Sequence, residues 1–213
     1  MSGSPDAAWL GGWLRERIVA SWYLLVPLAL VIALAGGTNR LSGRAEIAFL
    51  AIVAFRLWDD VEDVEHDRLH HPTRALCRLA SMKGPLLIAR VGIASTMALF
   101  VFSGRMFSPL LGVVLASFGA FAARSAWPHL RVLLAHVLLL KVPALVLGLT
   151  PPGTPLIVQL GRALTLYGVV GAYELVHDKE ARRAPFAFVL ALFDLACLCA
   201  GPAIWLRYPL VFP

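Results

Sequence analysis

Seven apolar stretches, at 18–36, 45–58, 85–103, 107–123, 130–149, 155–176 and 185–206, leave this chain few ways to fold. Crossing the hydrocarbon core of a bilayer takes roughly 20 mostly apolar residues. Most of the stretches are close to that length. The balance of residues agrees: 59% are hydrophobic and 15% charged, where a soluble domain carries about 25% charged residues. Inside lipid every backbone amide must find its partner within the protein, so a span is a helix or part of a closed barrel. Continuous rather than alternating apolar runs select helices. The expected fold is all-α, a polytopic transmembrane helical bundle of about seven spans forming a single domain over 1–213. The second stretch is short and runs into acidic sequence, so its helix is expected to continue beyond the membrane.

The N-terminal segment lacks an early basic region. Arg15 and Arg17 directly precede a stretch long enough to stay in the membrane, so it reads as a retained span rather than a cleaved signal. Trp9, Trp13, Trp22 and Tyr23 suit an interfacial belt. Arg15, Arg17, Arg68, Arg74, Arg78, Lys83, Arg124, Arg131, Lys179, Arg182 and Arg183 fall on the N-terminal side, against Arg40, Arg44, Arg105 and Arg207 opposite. This eleven-to-four bias predicts a cytoplasmic N-terminus in a plasma or inner membrane. It also accounts for the net charge of +6 through topology and contacts with membrane lipids, without nucleic acid. Cys77, Cys197 and Cys199 form neither a zinc spacing nor a disulfide framework.

Chemistry is expected in the longest polar segment, which runs from Trp58 to Gly84. Its start reads Trp58-Asp59-Asp60-Val61-Glu62-Asp63-Val64-Glu65-His66-Asp67-Arg68. On a helix Asp60, Asp63 and Asp67 share a face, and Asp59 lies one turn from Asp63. Carboxylates so gathered repel one another unless a cation neutralises them. Hard oxygen donors suit Mg²⁺, which takes one or two carboxylates together with substrate phosphate oxygens. The plainer reading is a solvated acidic helix paired locally with Arg68, Arg74 and Arg78.

A second polar segment follows the sixth stretch: Tyr173-Glu174-Leu175-Val176-His177-Asp178-Lys179-Glu180-Ala181-Arg182-Arg183. Set beneath the first with Tyr173 under Trp58, it places Glu174 under Asp59, Asp178 under Asp63, Glu180 under Glu65 and Arg183 under Arg68. Each segment follows the second stretch of one half of the chain. That pattern suggests an internal repeat.

The run Asp59-Asp60-x-x-Asp63-x-x-x-Asp67, with Arg74-Ala75-Leu76 after it, resembles the first aspartate-rich motif of the UbiA family of intramembrane prenyltransferases. Glu174-x-x-x-Asp178 is similar to the family's second motif. The motifs occupy 58–76 and 173–183. The resemblance implies a helical bundle with both motifs at the cytoplasmic mouth of an apolar cavity. It also implies Mg²⁺-dependent transfer of an isoprenoid group from a prenyl diphosphate to a lipophilic or aromatic acceptor. By residue, it assigns one Mg²⁺ to Asp60, Asp63 and Asp67 with help from Asp59, and a second to Glu174 and Asp178. Arg68, Arg74 and Lys179 are then candidates for the diphosphate oxygens. Asp59 stands where the family usually has Asn, and Glu174 where it has Asp. The family's final helices have no counterpart after Arg207, so fewer helices, or a second membrane subunit, would close the cavity.

Arg56, Arg90, Lys141 and Arg162 fall within or near the ends of the stretches, where an ionisable group is a functional candidate by default. Arg56 is placed to pair with Asp60, and Arg90 to reach the interface. Lys141, mid-stretch beside Pro143 and five residues after His136, is a candidate to face the cavity and the diphosphate. His66 and His70 alone are too few for a histidine-rich metal centre. A transporter would carry its ionisable groups near mid-membrane rather than at the surface. Two other readings stay open: a noncatalytic relative that binds lipid diphosphates or partners another membrane subunit, and a terpene cyclase using the same motifs without an acceptor.

Overall fold

The computed structural model describes residues 5–36 and 41–207, and over these the chain is all-α. Arg40 and the closing run 208–213 lie outside the described residues. The helices are α1 (Pro5–Trp13), α2 (Trp22–Ala35), α3 (Leu41–Glu62), α4 (Val64–His70), α5 (Lys83–Phe102), α6 (Ser108–Ala126), α7 (Arg131–Leu138), α8 (Lys141–Leu149), α9 (Leu156–His177), α10 (Lys179–Arg183) and α11 (Ala187–Leu206).

Five of the expected spans are long, apolar helical segments: α5, α6, the α7–α8 pair with its lead-in, α9 and α11. A sixth is formed if the N-terminal helix and α2, bent by 69° at Ala20–Ser21, count as one span. The second expected span lies in α3. That helix is long enough, but Arg44, Glu46, Arg56 and the acidic turn at its end dilute its apolar character. The described residues therefore hold five helices, or six with the bent pair, of the length and composition to cross a membrane, which is compatible with a multi-pass membrane protein.

Its contacts divide it into two compact units. The first comprises residues 5–31 and 41–99. Its core gathers Trp13, Ala51, Phe55, Trp58 and Val61 with Leu76 and Ile93, all buried. Gly92 lets α5 approach α3 closely, because a Cβ there would stand 3.0 Å from Ala54 Cβ.

The second unit comprises residues 32–36 and 100–207. Here α9 and α11 pack along a seam of small residues. A Cβ on Gly168 would meet the Asp194 carbonyl oxygen at 2.7 Å and the Leu198 nitrogen at 2.9 Å, and one on Gly161 would meet the Gly201 carbonyl at 3.0 Å. Helices in lipid gain little from hydrophobic sorting, so close backbone contact of this kind is what holds them together. The obstacle at Gly168 is backbone, which cannot rotate away. Gly168→Ala is therefore expected to lose about 1–3 kcal/mol through overpacking, read as an earlier unfolding midpoint in a denaturing-detergent titration. Gly112→Ala in α6, with nothing within 4 Å of the new Cβ, should leave that midpoint in place.

Two arginines close helix ends in this unit. Arg162 donates to the Ala35 carbonyl at 2.8 Å, and Arg105 to the Leu149 carbonyl at 2.8 Å. Each supplies a donor to the last turn of a helix, where carbonyls have no partner of their own. Arg162 thus has a structural task. Arg90 is exposed on α5, as expected of a side chain that reaches for the interface.

Candidate functional site

The first acidic segment does not form one uninterrupted helix. α3 ends at Glu62, Asp63 occupies the break, and α4 begins at Val64. The Asp63 N–H still bonds the Asp59 carbonyl at 2.9 Å, and the Asp67 N–H bonds the Asp63 carbonyl at 2.9 Å, so the chain turns without losing its ladder. Asp60 and Asp67, two turns apart, are both buried and face the N-terminal segment. Asp59 and Asp63 are half-buried.

Arg17 is the centre of the arrangement. It donates to Asp60 Oδ1 at 2.6 Å and lies 3.7 Å from Asp67 Oδ2. The Trp13 indole N–H donates to Asp60 Oδ2 at 2.8 Å, and Arg56 stands 4.0 Å from the same oxygen. Arg74 pairs with Asp67 Oδ2. Next to it, the Ala75 N–H donates to Glu16 at 2.9 Å, tying the N-terminal segment to the loop after α4. Three guanidiniums (Arg17, Arg56, Arg74) thus meet two carboxylates (Asp60, Asp67), while Glu16 accepts from a backbone N–H. Burial pushes the Asp60 carboxyl up from its ordinary value, while Arg17, then Arg56 and the Trp13 N–H, draw it back down. Trp13 and Arg17, read from sequence as an interfacial ring and a topology charge, are central members of the cluster.

The Mg²⁺ expectation can be set against these donors. Both oxygens of Asp60 are taken, one by Arg17 and one by Trp13, and Asp67 is held by Arg74. Among the described residues no three of the segment's carboxylates bring ligand oxygens within 4.8 Å of one another. The hollow beside them is about 10 Å³, room for about one water. Arginine supplies the positive charge here, and this arrangement does not fit a divalent cation. Arg68 is occupied elsewhere. It pairs with Glu65 at 2.6 Å and donates to the Leu79 carbonyl at 2.7 Å, fastening α4 to the following loop.

The second acidic segment also contains a helix break, with Asp178 extended at ψ 115° where Asp63 stands at ψ 1°. α9 ends at His177, Asp178 occupies the break, and α10 begins at Lys179. The Asp178 N–H bonds the Glu174 carbonyl at 2.8 Å and the Arg182 N–H bonds the Asp178 carbonyl at 3.1 Å. The Asp63 and Asp67 N–H groups make the same bonds one turn back in the first segment. The side chains differ in role: Asp178 caps α10 through the Glu180 and Ala181 N–H groups at 2.7 and 3.3 Å, while Asp63 makes no such cap. Glu174 is half-buried and Asp178 exposed. Lys179, Arg182 and Arg183 border an open hollow of about 360 Å³. Lys141 is half-buried and forms the first residue of α8.

One residue of the second unit escaped the sequence reading altogether. Asp194 sits in the middle of α11, 1% exposed, opposite His136 of α7. The signal was present, since it is the single acid in an otherwise apolar run of twenty. No family model, curated protein or solved structure matches the chain.

Proposed function

We propose that this protein acts on an isoprenoid diphosphate at the cytoplasmic surface of its membrane, as a divergent member of the UbiA-type prenyltransferases. In this reading the chain is a UbiA-like bundle of about seven spans with its N-terminus in the cytoplasm. The observation that carries the proposal is the interleaving of Arg17 and Arg74 with Asp60 and Asp67 where α3 gives way to polar sequence. Guanidiniums bind diphosphate oxygens in the same forked geometry that they offer carboxylates. A diphosphate would therefore compete with Asp60 and Asp67 for partners already held in place.

The reaction breaks the allylic C–O bond and forms a bond from the prenyl carbon to a nucleophilic atom of the acceptor. Pyrophosphate departs with the electron pair, and the acceptor gives up a proton. Positive side chains placed where that negative charge develops lower the barrier. Arg17 and Arg74 are the residues assigned this task. Mg²⁺ dependence rests on the resemblance alone, because Asp60 and Asp67 are engaged by arginine.

That engagement also favours a second reading, in which the protein binds lipid diphosphates without turning them over. One experiment separates the two. Purified protein is incubated with labelled geranyl, farnesyl and geranylgeranyl diphosphates and a mixture of lipophilic acceptors, with and without Mg²⁺. Transfer predicts pyrophosphate release that is lost in Asp63→Ala and Asp178→Ala. Binding by the unaltered protein with no release under any condition selects the noncatalytic reading. A cyclic hydrocarbon formed without acceptor identifies a cyclase instead.

A further inference from the structure

The second unit holds a pair of ionisable side chains in the interior of its apolar helices. His136 of α7 and Asp194 of α11 are 3% and 1% exposed, with Nε2 3.4 Å from Oδ2. His136 Nδ1 lies 3.4 Å from the Val132 carbonyl, one turn back on its own helix. A carbonyl only accepts, so that contact requires a proton on Nδ1. Nε2 then has two states open to it. It carries a second proton beside a carboxylate, or it accepts one from a carboxylic acid. Both states leave the pair neutral, and both contain one shared proton.

The pair is neutral with that proton bound, and giving it up leaves one negative charge among apolar helices, which makes release costly. His136 is the ion-pair partner of Asp194. The other titratable groups facing the pair are Tyr167 from α9 and Cys197, one turn further along α11. Lys141 opens α8 five residues after His136. Gly171 of α9 makes the space, since a Cβ there would stand 2.6 Å from Asp194 Cγ.

The pair is held loosely. Neither oxygen of Asp194 has a hydrogen-bond donor, and the 3.4 Å separation from Nε2 is long. The span also breaks three residues beyond His136. Pro143 lacks an N–H, so the Leu139 carbonyl takes its bond from Val142 instead, and Leu140 bonds Val137. The His136 carbonyl accepts from the Leu139 N–H at 3.1 Å in place of Leu140, and from the Tyr167 hydroxyl at 3.1 Å. A helix interrupted at the level of a buried ionisable group is how membrane proteins build sites for ions.

We propose that His136 and Asp194 form a membrane-embedded proton-binding centre that takes up and releases one proton as a unit. It stands independently of the diphosphate reading. Full-length protein in lipid nanodiscs, labelled at the His ring nitrogens and Asp carboxyl carbons, is titrated by NMR from about pH 5 to about pH 10. The His136 and Asp194 signals are expected to change together in one step. Asp194→Asn should abolish that joint step. Should that variant fail to fold, joint titration in the unaltered protein decides the matter. Two independent transitions, a step that survives Asp194→Asn unchanged, or no transition at either residue would overturn the proposal.

Discussion

Arg17→Met is expected to destabilise the first unit by about 3–5 kcal/mol, the usual consequence of removing one partner from a buried ion pair. Arg17 is the residue that touches both buried carboxylates, at 2.6 Å to Asp60 and 3.7 Å to Asp67. Methionine fills most of its stem and supplies no charge. Asp67 keeps Arg74, but Asp60 is left with the Trp13 N–H and a distant Arg56. The loss should depend on pH in a defined direction. Burial already raises the Asp60 carboxyl, and Arg17 is the largest influence opposing that rise. Without Arg17 the folded-state value climbs further above the unfolded one. A group so shifted binds its proton more tightly when folded, so its contribution is fully present below the unfolded pKa and is lost as pH rises through the folded one. Arg17→Met should therefore approach normal stability in acid and fall short as pH rises. Adding Asp60→Asn should flatten that dependence. Denaturing-detergent titrations at several pH values measure both effects, and a pH-independent loss would show that Arg17 acts through packing alone.

Much of the fold was legible because lipid permits so little. Continuous apolar runs located α5, α6, α9 and α11 to within a few residues, since a span has no other way to satisfy its backbone. What sequence could not show was where helices break. The run at 130–149 contains Pro143, yet the interruption falls at Leu139–Leu140, where the carbonyls deprived of donors lie. Asp63 and Asp178 could be aligned from the sequence, but only the structure shows both of them occupying a helix break. The same holds for the candidate site. Spacing placed Asp60, Asp63 and Asp67 on one face; the structure gathers Asp60 and Asp67 at Arg17 and leaves Asp63 at the helix break. Their partner Arg17 lies more than forty residues away, and no local pattern reports a contact of that range. A sequence shows carboxylates as charges seeking a cation, and the fold decides whether arginine or a metal answers them.

The two buried ion pairs invite the same experiment with a different expectation. Arg17 bridges two acids, so no single apolar replacement repairs its loss. His136 and Asp194 are each other's ion-pair partner, and removing both should do far less harm than removing one. His136→Leu alone leaves Asp194 in the apolar interior with neither oxygen hydrogen-bonded, and is expected to cost about 3–5 kcal/mol. Asp194→Leu in that background removes the stranded carboxyl. Two apolar side chains in place of a buried pair are often neutral or stabilising, and the double variant should recover most of the loss. Recovery has a steric limit, because Gly171 leaves space shaped to the Asp194 carboxyl and leucine adds a branch there. Asp194→Val, shorter and close in shape to aspartate, is the better second change and should recover more than leucine. The measurement is a double-mutant cycle in unfolding free energy. A coupling near zero would mean that the 3.4 Å contact between Nε2 and Oδ2 contributes nothing to the folded state. A large coupling together with a stable double variant would mean that the pair is dispensable for folding, and that the reason for a proton site inside these helices lies in what the protein does.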